Sequence, residues 1–190
     1  MVTTSGDPAA ACEGVTVHLR PITRDDLPRV AAWQQDPRLF DALVGPYRHV
    51  TPEAAVSWME QCWLNHPRQI RMAICRLVDD AHIGNAYLTD IDRIYRSATF
   101  GIFLGSVTDR GRGYGRDATR LILRHAFEVE GLHRVELDAL VTNERAIRLY
   151  RFCGFREEGI RREAAFKNGK WVNVLRMAVL AHEYRAHRQQ

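Results

Sequence analysis

The sequence lacks several features that would assign it to a common class of protein. Its four cysteines, Cys12, Cys62, Cys75 and Cys153, are widely spaced and form no Cys-x-x-Cys pair, so neither a zinc site nor a redox dithiol is predicted. The N-terminus has no basic segment followed by an apolar one. No apolar run approaches the roughly 20 residues of a membrane-spanning helix. We therefore expect a cytoplasmic protein with no metal site and no membrane partner.

The chain also lacks a block of positive charge. It has 27 lysines and arginines against 23 aspartates and glutamates, a formal charge of +4, but the basic residues are dispersed and are not interleaved with aromatic residues. This pattern argues against nucleic acid as a partner and favours a small anionic ligand. A length of 190 residues with 46% hydrophobic residues predicts a single globular domain.

The hydrophobic periodicity predicts a domain of mixed α/β (α+β) class between two polar ends. Residues 1–14 are predicted to be a disordered N-terminal tail, residues 15–180 the domain, and residues 181–190 a C-terminal tail with a frayed helix. The predicted elements follow the order β-α-α-β-β-β-α-β-α-β-β, and the three successive strands in the middle predict an antiparallel meander. The elements span residues 15–22, 23–35, 51–64, 70–78, 83–91, 97–104, 116–130, 133–140, 143–153, 155–163 and 171–180, with a loop over 36–50.

The most informative motif is a glycine-rich basic turn, Arg-Gly-Arg-Gly-Tyr-Gly, over residues 110–115. It lies between the predicted strand 97–104 and a predicted helix that opens near Arg116. Glycines let the backbone come close to a phosphate, and the N–H groups and dipole of a helix N-terminus favour an anion. The spacing matches neither the dinucleotide-binding fingerprint nor the P-loop. The turn therefore predicts a different kind of phosphate site, built from backbone N–H groups near Arg112, Gly113, Gly115 and Arg116, and the alternative is a turn that only caps the helix.

The order of the elements and several local motifs together resemble the GCN5-related N-acetyltransferases (GNAT superfamily) over roughly residues 15–180. The turn matches the pattern Arg/Gln-x-x-Gly-x-Gly, which is similar to the coenzyme A pyrophosphate loop of that superfamily. Other segments are similar to the branch containing the ribosomal-protein alanine, spermidine and amino-sugar acetyltransferases. They are 101–103, 132–134, 143–150, 153–155, 158–159 and 169–177. The resemblance implies the GNAT fold (a mixed, mostly antiparallel central sheet flanked by helices), acetyl-CoA as co-substrate, and a monomer or homodimer.

The resemblance also implies roles for individual residues. The strand before the glycine-rich turn, at Phe103 and Leu104, would pair with the pantetheine arm, and Asn143 would contact the same arm. Tyr150, seven residues after Asn143, would protonate the departing thiolate; a core tyrosine bonded to backbone is the alternative. The predicted coenzyme-binding residues are thus Phe103, Leu104, Arg110, Arg112, Gly113, Gly115, Arg116 and Asn143.

The general base is not defined by a motif. Many relatives place a glutamate on the strand before the turn, where this sequence has residues 98–99, Ala-Thr. Glu136 and Asp138 share one face of the next strand and are the candidate bases, with pairing to arginine as the alternative. His82 and His133, near strand ends, are interpreted as surface histidines. A water chain that deprotonates the substrate is a further alternative.

We therefore expect an acetyl-CoA-dependent N-acetyltransferase that acts by direct attack in a ternary complex. The acceptor is expected to be a primary amine of a small molecule: an amino sugar, a nucleotide-linked amino sugar or a polyamine. The acceptor pocket should involve the loop 36–50 and the second helix, and Phe40 and Tyr47 are its candidate contacts. Tyr87 and Tyr95, which flank the middle strands, are further candidates. A polyamine enzyme should carry several carboxylates there, and Asp36, Asp41, Asp90 and Asp92 do not make this compelling. The alternatives are a protein N-terminal acetyltransferase and a non-catalytic acyl-CoA-binding module.

Overall fold

A computed structural model of the chain describes residues 13–64 and 66–188. Over these residues, seven strands form one mixed sheet in the order β1-β2-β3-β4-β5-β7-β6. Neighbouring strands are antiparallel except β4 and β5, which are parallel. The predicted meander and the mostly antiparallel sheet are therefore confirmed. The strands are β1 (Val17–Pro21), β2 (Ile70–Arg76), β3 (His82–Asp92), β4 (Ser97–Leu104), β5 (Arg134–Leu140), β6 (Arg156–Lys167) and β7 (Lys170–Leu180).

The helices bury their apolar stripes against the two faces of this sheet. Along β4 the side chains alternate, so that Phe103 joins one hydrophobic cluster while Ile102 and Leu104 join the other. The helices are α1 (Leu27–Gln34), α2 (Pro37–Phe40), α3 (Pro52–Trp63), α4 (Tyr114–Arg124), α5 (Glu144–Phe152) and α6 (Ala181–Arg188). The first three lie in one cluster, and α4, α5 and α6 lie in the other. None of the described helices is long and apolar enough to cross a membrane.

Several helix boundaries differ from the prediction for local reasons. A short 3-10 turn, Arg24–Asp26, precedes α1 because Thr23 and Asp26 form a capping box there. The short helix α2 lies in the predicted loop 36–50, where the Asp36 side chain accepts a hydrogen bond from the Arg38 N–H. Helix α4 begins at Tyr114 rather than Arg116, and it continues into a π-helical turn, His125–Val129.

The two predicted tails are only partly within the described structure. Residues 1–12 lie outside it, whereas Gly14 donates a backbone hydrogen bond to the Val17 carbonyl. At the other end, α6 is anchored by Tyr184, which is buried and donates a hydrogen bond to Glu128 at 2.9 Å. The boundaries of the domain at 15–180 remain a prediction, and the packing of Tyr184 ties residues beyond 180 to the same core.

The parallel pair β4–β5 separates along its length. The strands pair only through Ser97↔Arg134, Ala98↔Val135 and Thr99↔Glu136. Beyond Thr99, β4 stays hydrogen-bonded to β3 on its other side, up to Leu104. The β5-facing edge of β4 thus carries backbone N–H and C=O groups that β5 does not pair. This opening positions the functional site.

His82 corrects one interpretation from the sequence, because it is 6% exposed rather than on the surface. Its Nε2 lies 2.7 Å from Asn85 Oδ1, and its Nδ1 lies 3.2 Å from the Asp26 carboxylate, which Arg20 holds in a bidentate pair. Trp33 packs edge-on against the ring. Desolvation lowers the pKa of His82 and outweighs the attraction of Asp26.

We expect this burial to make stability pH-dependent. As the pH falls below 6.5, the ordinary pKa, the unfolded His82 takes up a proton before the folded His82 does, so stability falls. The slope per histidine is at most about 1.4 kcal/mol per pH unit. We expect the free energy of unfolding, measured with urea from pH 7.5 to 5, to fall less steeply with decreasing pH in His82→Gln than in the wild type. The matched control, exposed His182→Gln on α6, should keep the wild-type slope, and equal slopes in all three proteins would contradict the prediction.

Candidate active site

Two cavities meet in the opening between β4 and β5. Their volumes are 710 and 580 Å³. Both are lined by residues of the strand end, the α2 segment and the start of α5, including Phe103, Asn143 and Tyr150. The smaller cavity, called here the arginine-lined cavity, extends toward the glycine-rich turn. The larger one, called here the aromatic cavity, extends toward α3.

The arginine-lined cavity is strongly positive. Among the described residues, its lining includes four arginines, Arg110, Arg116, Arg145 and Arg148, and no carboxylate; Arg148 also pairs with Glu144, which does not line the cavity, at 3.0 Å. Gly113 and Gly115 line it as well, so the N-terminus of α4 opens onto the same space. Helix dipole, unpaired backbone N–H groups and guanidinium groups thus act together on one cavity. The arrangement suits a ligand with several phosphates.

The glycine-rich turn has the backbone geometry that such a site needs. Gly111 and Gly113 have φ angles of +89° and +88°, in the left-handed region that disfavours L side chains. Gly113 is the residue that caps α4. Gly115 approaches α5 closely, since a Cβ there would lie 3.3 Å from a Leu149 methyl group.

Two predicted members of the turn are placed differently from the others. The backbone N–H of Arg116 donates to the Gly113 carbonyl at 2.9 Å, so it closes the first helical turn, while its guanidinium lies 4.0 Å from the Phe152 ring centroid. Arg116 therefore reaches the cavity as a side chain and not as a backbone donor. The Arg112 side chain donates to the Thr108 carbonyl and is not among the described lining residues. Binding roles for both remain predictions.

Tyr150 lies where the two cavities join, because it lines both. It is 9% exposed, and its ring packs edge-on against Phe100 and Phe155. Burial raises the pKa of the phenol above its ordinary value of 10, so the group stays protonated at neutral pH. A buried, protonated phenol at a cavity junction can donate a proton to a leaving group.

Asn143 also lines both cavities. As the N-cap of α5 it accepts a hydrogen bond from the Ala146 N–H at 3.2 Å, and its Nδ2 donates to the Ala42 carbonyl at 3.0 Å. The side chain therefore joins α5 to the segment after α2. Its predicted contact with the coenzyme arm remains a prediction.

Comparison with known proteins accounts for this architecture. The profile of the acetyltransferase (GNAT) domain matches residues 16–156. The chain belongs to the GNAT family and is an N-acetyltransferase. The resemblance stated from the sequence, in both fold and family branch, is thus confirmed.

Similar GNAT proteins include two spermidine N(1)-acetyltransferases. That of Escherichia coli K12 is 28% identical over 183 residues, which cover 90% of this chain and 89% of that protein. That of Vibrio cholerae is 37% identical over 111 residues, which cover 57% of this chain and 64% of that protein. A crystal structure of Vibrio cholerae spermidine N-acetyltransferase in complex with CoA and spermine has a TM-score of 0.83 and 26% identity. It covers 89% of this chain and 98% of that chain.

The two candidate bases of this GNAT site are both bound by arginines. Glu136 accepts hydrogen bonds from Arg134 at 2.9 Å and Arg176 at 2.6 Å, and it is not among the described residues lining either cavity. Asp138 lines the aromatic cavity but accepts from Arg176 at 2.7 Å and Arg161 at 2.8 Å. The oxygens of both carboxylates are thus occupied by guanidinium donors. The geometry thus favours the alternative of arginine pairing, and a basic role for either residue stays a prediction.

The aromatic cavity occupies the region predicted for the acceptor. Its lining includes Phe40, Trp58, Trp63 and Tyr87, together with residues 42–46. Other predicted contacts lie elsewhere among the described residues. Tyr47 packs against Phe40 but does not line the cavity, Tyr95 is 78% exposed, and Asp92 accepts hydrogen bonds within its own turn.

Sequence reasoning missed four arginines that line the two cavities: Arg48, Arg71, Arg145 and Arg148. Arg145 and Arg148 follow each other at i, i+3 on α5, a spacing that places both on one helix face. That spacing was visible in the sequence, but an exposed helix face explains it equally well. Arg71, on β2, lines the aromatic cavity, and the sequence of this strand, which is buried on both faces, does not distinguish Arg71 as a site residue.

Proposed function

We propose that this GNAT protein transfers the acetyl group of acetyl-CoA to a primary amine of a small molecule by direct attack in a ternary complex. The observation that carries the proposal is the meeting of the two cavities at Tyr150. The arginine-lined cavity would hold the phosphates of the co-substrate, and the unpaired edge of β4 at Phe103 and Leu104 would hold its arm. The aromatic cavity would hold the amine.

The chemistry requires no covalent enzyme intermediate. The lone pair of the neutral amine forms a bond to the thioester carbonyl carbon, and the electrons of the C–S bond leave with sulfur. The sulfur takes the phenolic proton of Tyr150, the new amide nitrogen gives up its extra proton to water, and the phenol is reprotonated from solvent. Burial raises the pKa of Cys153 to about 11, so this nearby thiol is not a thiolate nucleophile at neutral pH.

Polyamines are the acceptor class that the named relatives support, since both are spermidine acetyltransferases. Amino sugars and nucleotide-linked amino sugars are the other small-molecule classes in the proposal. A protein N-terminus is not favoured by these relatives. The non-catalytic alternative is disfavoured because the glycine-rich turn and Tyr150 are both present. A cytoplasmic location, a monomeric or dimeric state and the absence of a metal remain expectations.

The test is release of free CoA thiol from acetyl-CoA across a panel of polyamines, amino sugars, nucleotide-linked amino sugars and short peptides. Saturable release with a small-molecule amine, and the acetylated product by mass spectrometry, is the expected result. Release with peptides alone would favour the N-terminal alternative. Binding of acetyl-CoA by calorimetry with no release from any amine would favour the non-catalytic alternative.

A further inference from the structure

The aromatic cavity carries the wrong charge for a polycation. Among the described residues that line this cavity, the charged ones are Arg48, Arg71 and Asp138. The charge of Asp138 is already compensated, because Arg176 and Arg161 both donate to its carboxylate. The cavity is therefore net positive, and a like-charged ligand entering it pays a desolvation and repulsion cost.

Arg71 is the unusual member of this set. Its guanidinium carbon lies 4.1 Å from the Trp63 ring centroid and 4.8 Å from the Tyr87 ring centroid. Its Nε donates to the Gln69 side-chain oxygen at 2.9 Å. Asp90 attracts it electrostatically, but among the described residues no carboxylate comes within the 4.0 Å of a salt bridge. Arg71 is thus a partly buried cation held by aromatic rings and an amide.

The ring beneath Arg71 is fixed and connects it to the reaction centre. The Tyr87 ring packs against Gly101 of β4, where an added Cβ would lie 2.2 Å from the ring. Tyr87, Gly101 and Tyr150 all line the aromatic cavity. Burial lowers the pKa of the Arg71 guanidinium to about 10, so it remains charged at neutral pH but has lost part of its hydration.

Such a guanidinium is a receptor for an oxyanion. Its planar donors match a carboxylate or phosphate, and a desolvated cation without a carboxylate partner gains most from acquiring one. Building on the proposed function, we propose that Arg71 determines acceptor specificity by binding an anionic group of the acceptor. The acceptor would then carry both a primary amine and a carboxylate or phosphate. In this respect the chain would differ from its spermidine-acetylating relatives.

The experiment measures kcat/KM on pairs of amines that differ only in the anion. Two pairs differ by a carboxylate: lysine and cadaverine, and tyrosine and tyramine. Two pairs differ by a phosphate: glucosamine 6-phosphate and glucosamine, and phosphoethanolamine and ethanolamine. Spermidine is included as the polyamine. We expect the anionic member of at least one pair to exceed its partner and spermidine by tenfold or more.

Substitutions of Arg71 test whether this residue causes the preference for anionic amines. Arg71→Gln should abolish the anion preference, chiefly through KM for the acceptor, and Arg71→Lys should retain part of it. The exposed control Arg185→Gln on α6 should keep all of it. Unchanged affinity for acetyl-CoA shows that each variant is folded. A preference for spermidine over every anionic amine, or an anion preference that persists in Arg71→Gln, would overturn the inference and leave the proposed function intact. No acetylation of any amine would overturn both.

Discussion

Gly113→Val is expected to weaken acetyl-CoA binding at least 100-fold. Gly113 has a φ of +88° at the cap of α4, where a β-branched residue is strained by about 1–3 kcal/mol. A Cβ at this position would meet no protein atom within 4 Å, so the protein itself leaves the space for the isopropyl group. The valine would therefore occupy the space in which the phosphates are proposed to lie, and relief of its strain would turn the N–H groups at the start of α4 away from them. Calorimetry with acetyl-CoA measures the loss.

Gly131→Val is the matched control for backbone strain. Gly131 has a φ of +63°, a Cβ there also meets no atom within 4 Å, and it is not among the described residues lining either cavity. We expect a similar loss of thermal stability in both variants and a loss of acetyl-CoA affinity in Gly113→Val alone. A folded Gly113→Val protein with wild-type affinity for acetyl-CoA would show that the glycine-rich turn does not bind the phosphates.

Local signals in the sequence were sufficient for most of the fold. The Asn-Gly turn at residues 168–169 joins β6 and β7, and Thr51-Pro52 starts α3, both as turn and capping rules require. The short helix α2 was missed because four residues give no periodicity, although Asp36-Pro37 is a capping sequence. The C-terminal helix α6 was underestimated because its composition is polar. Its anchoring depends on contacts between residues far apart in the sequence: Tyr184 and Arg188 with Glu128, Glu183 with Arg156, and His187 with the Phe152 carbonyl.

The site was predictable to the extent that it is local. The glycine-rich turn and Tyr150 are each defined by spacing within one segment. By contrast, the ion pairing of Glu136 and Asp138 depends on Arg134, Arg161 and Arg176, which the pairing of β5 with β7 and of β7 with β6 brings together. The inward position of Arg71 depends on Trp63 of α3 and Tyr87 of β3. Contacts of this kind depend on strand register and helix docking, which a single sequence does not show.

Tyr150→Phe is expected to lower kcat by about 100-fold or more, within the range of 10²–10⁴ for loss of a general acid. The ring would keep its edge-on contacts with Phe100 and Phe155, so the shape of the cavity junction is preserved. The affinity for acetyl-CoA, measured by calorimetry, should therefore change by less than about threefold. Steady-state thiol release at saturating substrates gives kcat. In the wild type, the raised pKa of the phenol means that kcat should not fall between pH 7 and 9 through ionisation of Tyr150.

Tyr184→Phe is the matched control for removal of a buried tyrosine hydroxyl. Tyr184 is 7% exposed, burial raises its pKa to about 12, and its hydroxyl donates to Glu128 at 2.9 Å; neither residue is among the described residues that line the two cavities. Its loss should reduce stability by about 1 kcal/mol and leave kcat unchanged. If Tyr150→Phe retains wild-type kcat, the leaving thiolate is protonated by another group. If it weakens acetyl-CoA binding and kcat equally, Tyr150 is a binding residue and the proton comes from water.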